Sequence, residues 1–245
     1  KRIIDITLAS LLLLISLPFQ LFFIVVIYLQ SRDNPIYTQM RGLSLSKHTF
    51  KIYKLRTLRK SHLHYNSNLS GIMTGNIYHK EEYKDSVLPI GKFLRKTGLD
   101  ELPQLINILK GEMTFIGPRP LSFDDLLIMK NEEEHYYERR NKMCCKPGIS
   151  GLWQLYGNRN RGSENLIHYD EYYEKNKSLK LDLTLMLFTI PIVLFGNHSD
   201  AIVSKSKYSF INELNNNPEI IANKHHKSVE FIKANKIKQI QYFIN

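Results

Sequence analysis

The stretch TGLDELPQLINILKGEMTFIGPRP, residues 97–120, sets two acids side by side, Asp100 and Glu101, at the head of a helical pattern. Leu102, Leu105, Ile106 and Leu109 recur at the i, i+3, i+4, i+7 spacing of a helix with one buried face. Thr97, three residues before Asp100, resembles a capping pair, and Pro103 fits only the first turns of a helix. Gly111 supplies a stop. A helix turns about 100° per residue. Asp100 is therefore expected to point away from the apolar stripe, with Gln104 and Asn107 on its side, and Glu101 toward the stripe's flank.

Two readings of these acids stand at this point. Carboxylates at a helix N-terminus meet the macrodipole favourably, and a pure capping role accounts for most such pairs. The surroundings suggest chemistry instead. Lys92, Arg95 and Lys96 precede the acids, and Arg119 is fixed between Pro118 and Pro120. Free N–H groups at a helix start and a restrained arginine suit a polyphosphate. An acid among cations stays ionised, and can attack phosphorus or hold a divalent metal.

Working outward, PIYTQMRGLSLSKHTFKIYKLRTL (residues 35–58) reads as a β-hairpin. Strand-like residues at 36–38 and 50–55 flank a turn region that begins at Gly42. Lys54 and Arg56 are two apart and so share a face, either as a solvated surface or as a pair of phosphate-binding cations. Residues 61–85 are polar and read as a long loop with some helix.

The N-terminal stretch KRIIDITLASLLLLISLPFQLFFIVVIYLQ is almost wholly apolar over residues 3–29, long enough for a bilayer span. It does not read as a cleaved signal peptide, since the run is too long and lacks a small-x-small site. Pro18 lies near its middle, and basic residues flank both ends: Lys1 and Arg2 before, Arg32 after. A segment that enters, breaks at Pro18 and returns to the same face satisfies both features. A single kinked span is the other reading. Residues 181–196 form a second apolar stretch, carrying Asp182 and Pro191, which suits a buried or interfacial helix.

Across 245 residues, 34 Lys+Arg stand against 23 Asp+Glu, a formal net charge of +11. That excess attracts nucleic acid, anionic membrane or phosphorylated substrates. No nucleic-acid-binding module appears, so no nucleic-acid partner is expected. Cys144 and Cys145 are adjacent, a poor geometry for a disulfide, which fits a reducing compartment. The nine histidines show no metal-ligand spacing. Trp153 and the tyrosines suit either a membrane interface or core packing.

In sequence order, KRIIDITLASLLLLIS, YTQMRGLSLSKHTFKIYKLRTL, IGKFLRKTGLDELPQLINILKGEMTFIGPRP, KPGISGLWQLYGNR and YDEYYEKNKSLKLDLTLMLFTI cover most of the chain up to about Gly196. This succession resembles the monotopic polyprenyl-phosphate phosphoglycosyl transferases, the bacterial sugar transferase family. The central piece is the most specific. Many members carry Ser immediately before the membrane-segment proline, where this chain has Leu17 after Ser16. Lys142 stands roughly where many carry an arginine, and Arg159 falls one residue late.

The resemblance implies an α/β fold: a small mixed domain with a β-hairpin, an N-terminal re-entrant membrane helix and interfacial amphipathic helices. It implies three regions: a membrane-embedded helix at 1–31, a cytosolic domain at 32–196 and a C-terminal extension at 197–245. The implied reaction moves sugar-1-phosphate from a UDP-sugar to undecaprenyl phosphate, giving undecaprenyl diphosphate-sugar and UMP through an aspartyl-phosphosugar, with Mg2+ as cofactor. By position, Asp100 becomes nucleophile and metal contact, Glu101 its support, and Lys54, Arg56, Arg95 and Arg119 the phosphate-binding residues. Pro18 becomes the break in the membrane helix. The implied setting is the cytoplasmic face of the bacterial inner membrane, with membrane lipids and downstream glycosyltransferases as partners. A catalytically silent membrane scaffold of a glycan-assembly complex is the alternative; it would not need Asp100. The extension has a helix start at Asn217 and Pro218, with lysines that suit either solvent or anionic lipid.

Overall fold

The apolar N-terminal segment forms one helix, α1 (Arg2–Ser31), with Pro18 inside it. A computed structural model describes residues 1–59, 87–157 and 162–195. The long polar loop, Arg159 and the C-terminal extension fall outside the described residues. Helical structure continues through Pro18, so the expected break is not a gap in the helix. Beside it Gln20 Nε2 donates to Ser16 Oγ at 2.9 Å, a polar pair within an apolar run. Asp5, Ala9, Gln20, Phe23 and Ile27 are buried, a stripe at helical spacing along nearly the whole length. The remaining faces are apolar and exposed, from Ile3 and Leu14 to Phe22 and Leu29.

Both ends of α1 are fastened to the same body. At its head, Arg2 donates to the carbonyls of Ile108 (2.5 Å) and Leu109 (2.8 Å), satisfying the C-terminal acceptors of α3 (Leu105–Lys110). Asp5 accepts from Thr114 Oγ1 at 2.9 Å in β3 (Thr114–Ile116). Lys1 Nζ reaches Asp182 Oδ2 at 2.9 Å and donates to Tyr173 OH at 2.7 Å. Tyr173 in turn donates to Asp182 Oδ1 at 2.6 Å. At the tail, Phe23 and Ile27 pack with Leu55, Leu88 and Leu94. There Gln30 Oε1 accepts from Ile90 N at 3.2 Å, in the first turn of α2 (Pro89–Thr97).

The hairpin forms as expected. Strands β1 (Ile36–Gly42) and β2 (Phe50–Leu55) pair antiparallel, with Ile36 opposite Leu55 and Arg41 opposite Phe50. The short β4 (Leu121–Ser122) pairs with the other edge of β1, giving the order β2-β1-β4. A second sheet joins β3 in parallel to β5 (Gly148–Ser150). Helices α4 (Phe123–Glu132), α5 (Glu134–Asn141), α6 (Leu152–Tyr156) and α7 (Gly162–Asn176) bury Leu121, Leu126, Met129, Tyr137, Trp153 and Leu166 together. Core packing therefore accounts for Trp153, which is not at an interface.

The second apolar stretch is α8 (Leu179–Phe195). Leu181 and Leu185 are buried against Ile116, Leu152 and Tyr173, while Leu179, Leu183, Leu187 and Ile190 are exposed. Among the described residues, α1 is the one helix long and apolar enough to cross a membrane.

The segment carrying the acids differs from the sequence expectation. Residues Leu99–Gln104 form a 3-10 turn, and α3 begins only at Leu105. Pro103 lacks an N–H and disfavours the α conformation at Leu102, so the chain tightens before it can propagate an α-helix. The tighter winding shifts the phase of the apolar stripe. Leu105 and Ile108 are buried, whereas Ile106 is exposed. Thr97 does not cap; its Oγ1 donates back to the carbonyls of Phe93 and Leu94. Gly98, at φ 74°, makes the turn instead, and Gly111 ends α3 as expected.

Candidate functional site

Asp100 and Glu101 are both 7% exposed, held between α2 and β2. The expectation that Asp100 faces away from the packed interior is overturned. Its neighbours on the polar side are buried too. Asn107 donates to Lys51 O at 2.8 Å and to Glu112 Oε2 at 2.7 Å, pinning the helix to β2. The N–H groups expected to be free at this helix start are partly taken, since Glu101 N already bonds to Gly98 O at 3.0 Å.

Lys54 and Arg56, read either as a solvated face or as a pair of phosphate-binding cations, have different partners. Lys54 Nζ sits 2.5 Å from Glu101 Oε1, a half-buried ion pair. Arg56 follows β2 and donates through Nε to Asn34 O at 2.5 Å, with Asp33 Oδ2 at 3.8 Å from its Nη1. Arg95 lies half-buried in the last turn of α2, where a cation also meets the helix dipole favourably.

A small cleft brings Lys54, Glu101 and Arg119 together. It also takes in Arg41, Gln104 and Gln154, which sequence reasoning had not placed there. Pro120, Gly148 and Ile149 complete one side. Asp100, Arg56 and Arg95 are not among its lining residues; Asp100 sits on the same turn as Glu101.

Arg119 is 5% exposed, its guanidinium over the Trp153 ring at 5.5 Å. Three backbone features fix it. Gly117 N donates to Ser150 O at 3.0 Å, and Gly148 N donates to Pro118 O at 2.9 Å. Gly117, Gly148 and Gly151 approach so closely that a Cβ on any of them would strike backbone. From below, Arg140 donates to the carbonyl of Arg119. Fully buried, Arg140 also donates to Leu43 O at 2.6 Å and pairs with Asp170 Oδ2 at 2.6 Å. Burial pushes Asp170 up to about 6, and its ion pair with Arg140 opposes the shift.

Arg41 is anchored by Gln39 Oε1 at 2.9 Å and by Pro120 O at 3.1 Å. Behind the two arginines lies Asp125, 4% exposed. Burial raises its pKa, and Ser122, Arg41 and Arg119 oppose the shift. No spacing rule singles out Arg140, Asp125, Arg41 or the glutamines. Arg140 meets Asp170 and Arg41 meets Pro120 across long stretches of chain.

Farther from the cleft, Glu174 accepts from the backbone of Cys145 at 2.9 Å and of Cys144 at 3.3 Å. Both thiols are free. Burial alone would raise Glu174, but its bonds to Cys145 and Lys177 win and lower it to about 2.

Comparison with known proteins identifies the family. The family described as bacterial sugar transferase matches residues 1–196. An exopolysaccharide production protein of Sinorhizobium fredii is 33% identical over 205 residues, covering 81% of this chain and 87% of its own. An undecaprenyl-phosphate galactose phosphotransferase of Salmonella typhimurium is 31% identical over 204 residues, covering 79% of this chain and 40% of its own. A UDP-glucose:undecaprenyl-phosphate glucose-1-phosphate transferase of Caulobacter vibrioides is 33% identical over 202 residues, covering 79% and 69%. The chain thus spans about two fifths of the longer relatives, such as an uncharacterized sugar transferase of Haemophilus influenzae at 41%. With its motifs in order and a family match over residues 1–196, the chain belongs to the bacterial sugar transferase family.

Proposed function

We propose that the protein transfers sugar-1-phosphate from a UDP-sugar to undecaprenyl phosphate, with Asp100 as nucleophile. The observation that carries this reading is the cleft where Lys54, Glu101 and Arg119 meet beside the Asp100 turn. An Asp100 oxygen attacks the phosphorus that bears the sugar, and UMP leaves with the electron pair of the broken P–O bond. A phosphate oxygen of undecaprenyl phosphate then attacks the same phosphorus and releases the Asp100 carboxylate. The products are undecaprenyl diphosphate-sugar and UMP, and the lipid-linked sugar is what downstream glycosyltransferases extend. The covalent step lets two phosphorylated substrates use one acid in turn.

Lys54 and Arg119 screen the anionic oxygens during both attacks, as positioned cations do in phosphoryl transfer. Glu101 orients Lys54 through their ion pair. Asp100 and Glu101 fit a Mg2+ ion, which takes one or two carboxylates and fills its shell with water and phosphate oxygens. Asp100 and Glu101 would hold such an ion together with substrate oxygens. When bound, Mg2+ neutralises phosphate charge.

The exposed apolar faces of α1 support membrane association, and fastening of both its ends to one body supports a re-entrant rather than a crossing segment. In this reading the catalytic domain lies on the cytoplasmic face of the bacterial inner membrane. Incubating the protein with undecaprenyl phosphate, Mg2+ and UDP-sugars should release UMP, and Asp100→Ala should abolish release. Mass spectrometry of the donor-only reaction should find the sugar-phosphate on Asp100. Wild-type turnover in Asp100→Ala would overturn the mechanism.

A further inference from the structure

Two residues that line the cleft carry three buried polar atoms that the proposed chemistry does not use. Gln104 closes the 3-10 turn that carries the acids and is 2% exposed, and its Nε2 has no hydrogen-bond partner among the described residues. Gln154, in α6, is half-buried, and among the described residues neither its Oε1 nor its Nε2 has one. All three atoms are shielded from solvent, and both residues line the cleft with Lys54, Glu101 and Arg119. The fold makes room for the second carboxamide. Gln154 Oε1 lies 3.0 Å from where a Cβ on Gly151 would sit.

A buried amide without a partner is costly, and native proteins leave few of them. Charge is already provided for by the lysine and arginines. The open Gln104 Nε2 needs only an acceptor, whereas Gln154 needs a donor for Oε1, which a phosphate dianion cannot supply, and an acceptor for Nε2. The matching ligand group donates and accepts at once, as a sugar hydroxyl or a uracil edge does. Position decides between them. Gln104 is four residues from Asp100, on the same turn. In a UDP-sugar the sugar joins the transferred phosphorus through one oxygen, whereas the uracil lies beyond a second phosphate and the ribose.

We infer that Gln104 and Gln154 read the transferred sugar, hydrogen-bonding its hydroxyls and so setting donor specificity. This rests on the proposed reaction. It goes further in assigning a neutral, sugar-selective half to the cleft.

The test uses full-chain protein in nanodiscs with Gln104→Met and Gln154→Met, which keep length and remove hydrogen bonding. Three readouts apply: kcat and KM over epimeric UDP-sugars, inhibition by UMP, and thermal midpoint. Each variant should lose roughly 10- to 100-fold in kcat/KM for the preferred donor. Discrimination between epimers should narrow, UMP inhibition should hold, and the thermal midpoint should hold or rise because a buried unpaired amide has gone. Equal weakening of UMP and of every donor would assign the carboxamides to the nucleotide and overturn the inference. Unchanged selectivity with a lowered midpoint would make them structural and overturn it as well. Gln154→Met, at the less buried position, decides the matter if Gln104→Met does not fold. If the wild type turns over no donor, calorimetric binding of UDP-sugars against UDP separates the two proposals. Epimer-selective binding lost in the variants would uphold the sugar reading while the reaction fails. Equal binding of UDP and all UDP-sugars would overturn it.

Discussion

The two walls of the cleft are built differently. The acid wall is local: Asp100, Glu101 and Gln104 sit on one turn of six residues between Gly98 and α3. The arginine wall is assembled from afar: Arg119 is held by the backbone of β5, by Trp153 and by Arg140, which itself leans on Asp170 and Leu43. A locally built wall takes its shape from backbone rules, and its parts can be damaged one at a time. A wall assembled from several elements shares every loss.

Removing Arg140 should open the largest gap between the walls. Arg140→Ala leaves Asp170 buried without its partner and should cost about 3–5 kcal/mol in chemical denaturation. The double variant Arg140→Met, Asp170→Leu should cost less than the single, because the uncompensated charge has gone. Equal losses would mean that Arg140 acts through its carbonyl bonds instead.

Gly148→Ala attacks the same wall without touching charge. The new Cβ meets Gly117 backbone, and an overpacked site of this kind should lose about 1–3 kcal/mol. UMP release should fall more steeply than stability, because Arg119 shifts with Gly117. On the acid wall, Gly98→Ala puts a side chain at φ 74° and should cost about 1–2 kcal/mol. Retained KM with reduced kcat there would show that only the acids moved.

The smallest effect is expected from Glu174, which braces the loop leading into β5. Its folded pKa, about 2, lies below the ordinary 4.5, so its stabilisation is present above 4.5 and lost as pH falls toward 2. Thermal midpoints of the wild type and Glu174→Gln should therefore converge on acidification. A constant difference would show that the lowered pKa does not contribute.

The same contrast explains what could be read from sequence. The hairpin was legible because strand residues and turn residues alternate locally, and the two acids stood out because they are adjacent in a compact motif. Within that motif the helix phase was misjudged, since Pro103 converts the first turn to 3-10 and turns Ile106 outward. Lys54 and Arg56 illustrate a second limit: sharing a strand face says nothing of the partners, Glu101 for one and Asn34 for the other. Arg140 and Asp170 are 30 residues apart, and neither periodicity nor composition links them. The glutamines read as ordinary polar helix positions; only burial without a partner distinguishes them. In α1, hydrophobicity conceals the buried stripe, because the exposed faces are apolar and the stripe itself includes Asp5 and Gln20.

The contact of Gly117 with Gly148 and Gly151 has a consequence for how this sequence can drift. Compensating mutation works by trimming one side chain to admit another, and here there is nothing left to trim. The two segments, some thirty residues apart, therefore behave as a single heritable character. Substitution has to proceed around them, through the side chains that line the cleft, while the backbone contact beneath Arg119 stays as it is.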